Sequence, residues 1–116
     1  MNIKILQNKL KQISVERDWN QFHSPKNLSM ALAKESSELL EIFQWLTEEE
    51  SYNLDEKKYE HLKEEIADIS IYLLRLCMKF DINLEDAIHD KLEKFEKKYP
   101  VEKSKGNAKK YNEFDK

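Results

Sequence analysis

Glycine is almost absent from this sequence, which has one glycine, Gly106, and two prolines in 116 residues. Hairpins and sheet-rich folds use glycine where the backbone turns sharply, so its scarcity favours long helices joined by few tight turns. We therefore predict an all-α fold, a helical bundle of four to five helices. The length suits a single domain spanning 1–116, with about 100–116 as a lysine-rich C-terminal tail.

The charge balance and the single cysteine narrow the class of protein further. A net charge of −3 gives no basic field that would attract a nucleic acid polymer or an anionic membrane. Cys77 has no partner for an intrachain disulfide and lies in an apolar helical run, which predicts a buried, inert thiol. The sequence shows neither a signal-peptide pattern nor an apolar run of membrane-spanning length, so we expect a cytoplasmic protein.

Apolar residues at helical spacing predict four long helices. Their predicted ranges are 3–17, 26–46, from 54 or 56 to 80, and from a cap at 83 to 99. Ser24-Pro25 favours the start of the second helix, and Pro100 ends the fourth. The segment TEEESYNLDEKK, residues 47–58, is interpreted as a polar connection between the second and third helices.

The third and fourth predicted helices each carry a clear apolar face. The third helix is apolar around much of its circumference, which indicates a central helix or one shared with another subunit. In the fourth, Leu84, Ile88, Leu92 and Phe95 are predicted to face inward. We expect assembly into a dimer or a tetramer, a dimer of dimers, to complete the core.

Pairs of acidic residues flank the apolar stripes of the second and third helices. On a helical wheel Glu35 lies about 20° from Leu28, in the middle of the stripe, and Glu38 lies about 60° to one side. In the third helix Glu65 borders the stripe, and Asp68 lies about 60° further out. If the two helices pack antiparallel, these four carboxylates converge.

Four neighbouring carboxylates repel one another and are costly to bury without compensation. Lys34 and Lys63 are predicted to point away from the adjacent acids. Arg75, two turns after Asp68, can neutralise one of the four carboxylates. A hard divalent cation with oxygen ligands, such as Mg²⁺, fits the remainder, whereas zinc favours Cys and His ligands. The alternative is that each acid pair belongs to a solvated helix face.

The order of several short motifs resembles one family. The motifs RDWNQFHSPKNL, E-x-x-E, FQW, E-x-x-D and KYP resemble the all-α nucleoside triphosphate pyrophosphohydrolase (MazG-like) superfamily and its small dCTP-pyrophosphatase-like branch. The resemblance runs from about residue 16 to residue 111. The resemblance implies a Mg²⁺-dependent hydrolase, with Mn²⁺ as a substitute, that cleaves a nucleoside triphosphate to the monophosphate and pyrophosphate. It also implies that Glu35, Glu38, Glu65 and Asp68 are the catalytic metal ligands. Glu38 and Glu41 are both candidates for the general base.

The same resemblance implies a set of substrate-binding residues. Those that match base and sugar positions are Trp19, Trp45 and Tyr72, with His23 beside them; those that match phosphate positions are Lys26, Lys91, Lys98 and Lys105, flanked by Tyr99 and Tyr111. The alternatives are core or interface packing for the aromatics and surface solvation for the lysines. Phe95 stands where many relatives have Asn, so the base preference is open. Pyrimidine deoxynucleotides similar to dCTP are expected, and modified or non-standard nucleotides are an equally natural target for a pool-cleaning enzyme.

Two other functions remain open from the sequence. One is a member of the same superfamily that hydrolyses dUTP, dUDP or a phosphoribosyl nucleotide. The other is a non-enzymatic helical dimerisation module whose acids are a surface feature. Testing which bases and how many phosphates the substrate carries would distinguish the first alternative from a dCTP pyrophosphohydrolase. A melting temperature that does not change with Mg²⁺ and a nucleotide analogue would indicate the second.

Overall fold

The computed structural model describes residues 1–114, and all regular structure within them is helical. Six α-helices are present in this part of the chain: α1 (Ile3–Glu16), α2 (Pro25–Phe43), α3 (Glu48–Ser51), α4 (Glu56–Lys79), α5 (Leu84–Lys98) and α6 (Val101–Ser104). The all-α prediction is confirmed, and the helices beyond the predicted four to five are single turns. The chain divides into two compact units, Met1–Asp81 and Ile82–Lys116, which we describe separately. The prediction of one domain over 1–116 stays a prediction.

The first two long helices begin at capping residues that the sequence supplies. The Asn2 side chain accepts a hydrogen bond from the Ile5 amide at 3.1 Å, and the Ser24 hydroxyl accepts one from the Asn27 amide at 3.1 Å. Such caps satisfy amides that have no partner inside the helix. Pro25 occupies the first turn of α2, as predicted, where its missing N–H costs nothing.

The second helix ends earlier than predicted, at Phe43 rather than residue 46. Beyond it, Thr47 and Glu50 form a reciprocal capping box, with the Thr47 amide donating to Glu50 Oε1 at 2.8 Å and the Glu50 amide donating to Thr47 Oγ1 at 3.1 Å. This box starts α3, so the interpretation of residues 47–58 as a plain connection was wrong.

Helices α1 and α4 are each followed by an aspartate in the left-handed backbone region. Asp18 has φ 54° and Asp81 has φ 51°. Only glycine enters this region without steric cost, and Asp and Asn tolerate it better than most residues. Asp18 and Asp81 therefore supply positive-φ positions at helix ends without glycine.

The core of the first unit lies between α2 and α4, with α1 packed on α4. Its buried apolar residues are Leu10, Leu28, Ile42, Leu74 and Cys77. Burying a side chain such as Leu or Ile stabilises the fold by about 1.5–3 kcal/mol each. The prediction of a buried thiol at Cys77 is confirmed, and burial raises its pKa.

The second unit contains α5, capped by Asn83 as predicted, and the short α6 that follows Pro100. Pro100 does end α5, but part of the predicted tail forms α6. Three residues expected to face inward are about half exposed in the single chain: Ile88 at 49%, Leu92 at 49% and Phe95 at 47%. Within residues 1–114, no helix has the length and apolar character needed to cross a membrane.

Candidate metal and nucleotide site

Carboxylates from two helices meet inside the first unit. Glu35 and Glu38 lie one turn apart on α2, and Glu65 lies on α4. One carboxylate oxygen from each of the three lies within 4.8 Å of the others. The packing of α2 against α4 therefore brings three of the four predicted ligands to one point.

Asp68 is placed differently from the other three. It is half-buried on α4, one turn after Glu65, but it is not part of the group that meets within 4.8 Å. Its place outside the group depends on how α2 packs against α4, which helical spacing alone does not determine. The structure thus assembles a cluster of three carboxylates with a fourth beside it.

The environment of the cluster makes its negative charge costly. Glu65 is 5% exposed, and the Oε2 atoms of Glu35 and Glu65 are buried without a hydrogen-bond partner. A hydrogen bond to Glu65, burial, and the hydrogen bond and charge of Glu38 raise the pKa of Glu35 to about 7. A proton or a cation is needed to hold these groups together at neutral pH.

Cations of the protein reach the cluster only at its edge. Lys34 Nζ lies 4.0 Å from Glu38 Oε1, closer than the wheel predicted, whereas Lys63 pairs with Glu60 at 3.6 Å. His61 Nε2 lies 3.2 Å from Glu65 Oε1. His61 was missed by sequence reasoning, although its position four residues before Glu65 on a helix was a usable signal.

The expected role of Arg75 as a counter-charge to the acids was wrong. Its Nη1 donates a hydrogen bond to Ser14 Oγ on α1. Within the described residues Arg75 makes no ion pair with a carboxylate. Ser14 is 61 residues away in sequence, so a pattern of local spacing could not reveal it.

The donor set of the cluster suits a hard divalent cation. It consists of carboxylate oxygens, two of them buried and unpartnered. Such oxygens are the preferred ligands of Mg²⁺, Mn²⁺ and Ca²⁺, and the absence of sulfur argues against a structural zinc site. Glu35, Glu38 and Glu65 could therefore hold a divalent metal.

The three predicted aromatic residues of the first unit, Trp19, Trp45 and Tyr72, differ in their exposure and contacts. Trp19 lies in the segment between α1 and α2. The centroids of the Trp19 and His23 rings are 6.4 Å apart and the ring planes form an angle of 74°, an edge-to-face contact. Trp45, after the end of α2, is 87% exposed, so it is not part of this chain's core. Tyr72 is half-buried on α4, one turn after Asp68.

The predicted cations lie in both units. Lys26 is exposed in the first turn of α2 and makes no ion pair within residues 1–114. In the second unit, Lys91 Nζ lies 5.3 Å from the ring centroid of Phe95, and Lys98 Nζ lies 4.8 Å from that of Tyr111. Tyr99 packs edge-on against Tyr111 and Phe114. Phe95, which replaces the expected Asn, therefore stacks beneath a predicted phosphate-binding lysine.

Comparison with family models gives a match over residues 31–114 to the MazG-like family. The chain belongs to the MazG-like family. The resemblance predicted from the motifs is thereby confirmed, and the matched range includes all four acids. Trp19, His23 and Lys26 lie before that range.

Similar proteins with known names support the same branch of the MazG-like family. The chain is 39% identical over 105 residues to dCTP pyrophosphatase 1 of Bos taurus and 36% identical over 105 residues to that of Homo sapiens. Each alignment covers 89% of this chain but 62% of the relative, so the chain spans less than two thirds of their length. The crystal structure of a pyrophosphatase from Archaeoglobus fulgidus is 42% identical, with TM-score 0.80, over 84% of this chain and 91% of that one.

Proposed function

We propose that this MazG-like protein is a Mg²⁺-dependent nucleoside triphosphate pyrophosphohydrolase acting on dCTP-like substrates. It would cleave the bond between the α and β phosphates with one water molecule, giving the monophosphate and pyrophosphate. The observation that carries the proposal is the convergence of Glu35, Glu38 and Glu65 within 4.8 Å around buried, unpartnered oxygens. The names of the mammalian relatives support the choice of dCTP.

Charge explains why a metal belongs between this site and its substrate. A triphosphate is strongly anionic and would be repelled by three carboxylates unless a cation lay between them. Glu35, Glu38 and Glu65 would hold Mg²⁺, or Mn²⁺ in its place, with Asp68 one turn further along α4. When bound, the metal would supply positive charge that screens the triphosphate from the carboxylates and offsets charge developing on the leaving pyrophosphate.

Glu38 is the better of the two candidate general bases in this proposal. It belongs to the carboxylate cluster and is half-buried, whereas Glu41 is exposed and outside the cluster. A base must lie within hydrogen-bond reach of the water that attacks the α-phosphorus. Glu38 would accept its proton.

The remaining predicted residues fill the substrate roles in the proposal. Trp19, Trp45 and Tyr72 would contact the base and sugar, since aromatic faces stack on bases at about 1–3 kcal/mol each. The phosphates would be bound by lysines. The proposed phosphate-binding residues are Lys26, Lys91, Lys98 and Lys105, with Tyr99 beside them. The half-exposed apolar face of α5 supports assembly into a dimer or tetramer, in which residues of one subunit would complete a neighbour's site. We expect the enzyme to act on the cytoplasmic nucleotide pool.

The proposal is tested by incubating the purified protein with each common ribo- and deoxynucleoside triphosphate and Mg²⁺ and measuring pyrophosphate. We expect release that is strongest with dCTP and that stops when EDTA removes the metal. Orthophosphate as the product, or preferred turnover of dUDP, would instead indicate another reaction of the superfamily. A dimerisation module would release nothing and would show no change in melting temperature with Mg²⁺ and a nonhydrolysable dCTP analogue.

Three amide substitutions test the assigned residues. Glu38→Gln should lower kcat by roughly 100-fold or more, the usual contribution of a general base, while circular dichroism still shows a folded helical protein. Asp68→Asn should also abolish most turnover if Asp68 completes the ligand set. Glu64→Gln, which changes an exposed acid next to Glu65, is the matched control. Full turnover in both Glu38→Gln and Asp68→Asn would refute the site.

A further inference from the structure

The seam between α1 and α4 contains a cation that forms an ion pair with no acid among residues 1–114. Arg75 is half-buried, and its Nη1 donates to the hydroxyl of Ser14, which is 1% exposed. Within residues 1–114 it makes no ion pair. A guanidinium carries five N–H donors in a planar fork, and a partly desolvated charge is costly unless its donors find acceptors. Arg75 therefore has unused donors in a fixed position.

An unused nitrogen lies in the segment next to this seam. The Trp19 amide donates to the Ser14 carbonyl at 2.9 Å, which ties the segment before α2 to the end of α1. The Trp19 and His23 rings are in contact, and His23 Nδ1 is buried without a hydrogen-bond partner. Burial, followed by the positive charges of Arg75 and Lys79, lowers the pKa of His23. The imidazole is therefore neutral at pH 7, and one of its nitrogens is an acceptor.

The register of α4 relates this polar pair to the carboxylates. Glu65, Asp68, Tyr72 and Arg75 follow one another at steps of three and four residues, so they share one helix face. At 1.5 Å per residue, Arg75 lies about 10 Å beyond Asp68 along the helix axis. This spacing is comparable to the length of a nucleoside monophosphate. A nucleotide whose α-phosphate is held at the acids would reach Arg75 with its base.

We propose that Arg75 reads the base of the substrate, donating to O2 and N3 of cytosine while His23 Nδ1 accepts from the N4 amine. Ser14 is a positioning residue that holds the guanidinium in place. This inference rests on the proposed function, whose substrate it specifies.

The hydrogen-bonding edge of cytosine explains the choice of base. Cytosine presents two adjacent acceptors and then an amine donor. Uracil and thymine present an N3–H donor and an O4 acceptor instead, which would oppose an Arg75 donor and leave the His23 acceptor unpaired. A site built to hydrogen-bond one edge discriminates strongly against a base that lacks it, because its own buried polar groups are then unsatisfied.

The test compares kcat/KM for dCTP, dUTP and the abasic compound 2-deoxyribose 5-triphosphate in wild type and Arg75→Ala. We expect kcat/KM for dCTP to fall roughly 100-fold in the variant, with the ratio of dCTP to dUTP approaching one. The abasic compound should be hydrolysed at the wild-type rate, which also shows that the variant is folded. Lys63→Gln, which removes an exposed cation from the same helix, is the charge-matched control and should leave the ratio unchanged.

Two further variants keep the test decisive. Arg75→Lys retains the charge and most of the stem but lacks the planar fork, so it should lose discrimination even if Arg75→Ala does not fold. Ser14→Ala should weaken discrimination by less than Arg75→Ala does. An equal loss for dCTP and the abasic compound would show that Arg75 binds a phosphate instead, and an unchanged dCTP-to-dUTP ratio would show a purely structural role. Either result overturns the inference, while inactivity of the wild type on every triphosphate overturns the proposed function itself.

Discussion

At the scale of single residues, the sequence predicted the inward acids but not their exact grouping. The place of Glu35 in the apolar stripe followed from helical spacing, and the structure brings it to Glu38 and Glu65. The offset of Asp68 and the hydrogen bond from Arg75 to Ser14 depend on how helices pack, which a wheel for one helix does not contain. Local spacing therefore predicts which face a residue occupies, whereas its partner on another helix needs the fold.

The raised pKa of Glu35 predicts how the metal-free protein responds to pH. Because the folded state holds the Glu35 proton up to about pH 7 and the unfolded chain releases it near 4.5, stability should fall as pH rises between those values. Glu35→Gln removes this penalty. In EDTA, its melting temperature should exceed that of wild type by roughly 4 °C at pH 8.

The comparison at two pH values isolates the Glu35 carboxyl. At pH 4.5 or below the advantage of Glu35→Gln should shrink, since Glu35 is then protonated in both states. Mg²⁺ should stabilise wild type more at pH 8 than at pH 5, and it should stabilise Glu35→Gln less than wild type at pH 8. A variant less stable than metal-free wild type at pH 8 would contradict the assigned cost of the clustered charges.

At the scale of helices, most boundaries were readable because they are set by local caps. Ser24 and Asn83 begin α2 and α5 through side-chain hydrogen bonds that their sequence positions predict. The start of α3 was equally readable, since Thr47 and Glu50 have the spacing of a capping box, but its few residues were taken as a connection. Because this capping box was overlooked, the predicted end of α2 was placed three residues too late, at residue 46 rather than Phe43.

The Ser24 cap predicts a measurable share of stability. Ser24→Ala removes the acceptor for the Asn27 amide and should cost about 1 kcal/mol, a fall of roughly 4 °C in melting temperature. Ser24→Asp keeps an acceptor at the same position and should remain close to wild type. Thermal melts followed by circular dichroism make the comparison. Equal melting temperatures for wild type and Ser24→Ala would show that the cap contributes nothing.

At the scale of the whole molecule, the exposed apolar face of α5 is the feature that one chain leaves unexplained. Ile88, Leu92 and Phe95 recur at helical spacing and are each about half exposed. Exposed apolar rows of this kind are typical of surfaces that another subunit covers. The predicted dimer or tetramer would cover this face. The number of subunits cannot be read from periodicity, because the same apolar stripe serves a core or an interface.

This face predicts the effect of a charge on assembly. Leu92→Glu should shift the protein toward monomer in light scattering coupled to size exclusion, because a carboxylate in an apolar interface is costly to desolvate. The exposed neighbour Lys94 gives a control, and Lys94→Glu should leave the assembly unchanged. If residues of one subunit complete another's site, the Leu92→Glu monomer should also lose most pyrophosphate release. An unaltered oligomer would place the subunit contact elsewhere.

The aspartates after α1 and α4 change the meaning of the missing glycines. Asp18 and Asp81 adopt a positive φ, the backbone geometry that glycine normally provides, just after α1 and α4. The scarcity of glycine therefore does not mean that positive-φ positions are absent. Two of them are occupied by aspartates, which also carry charge. A search of the sequence for glycine as the marker of positive-φ positions misses both of these residues. Replacing either aspartate with a β-branched residue would strain the backbone at that position.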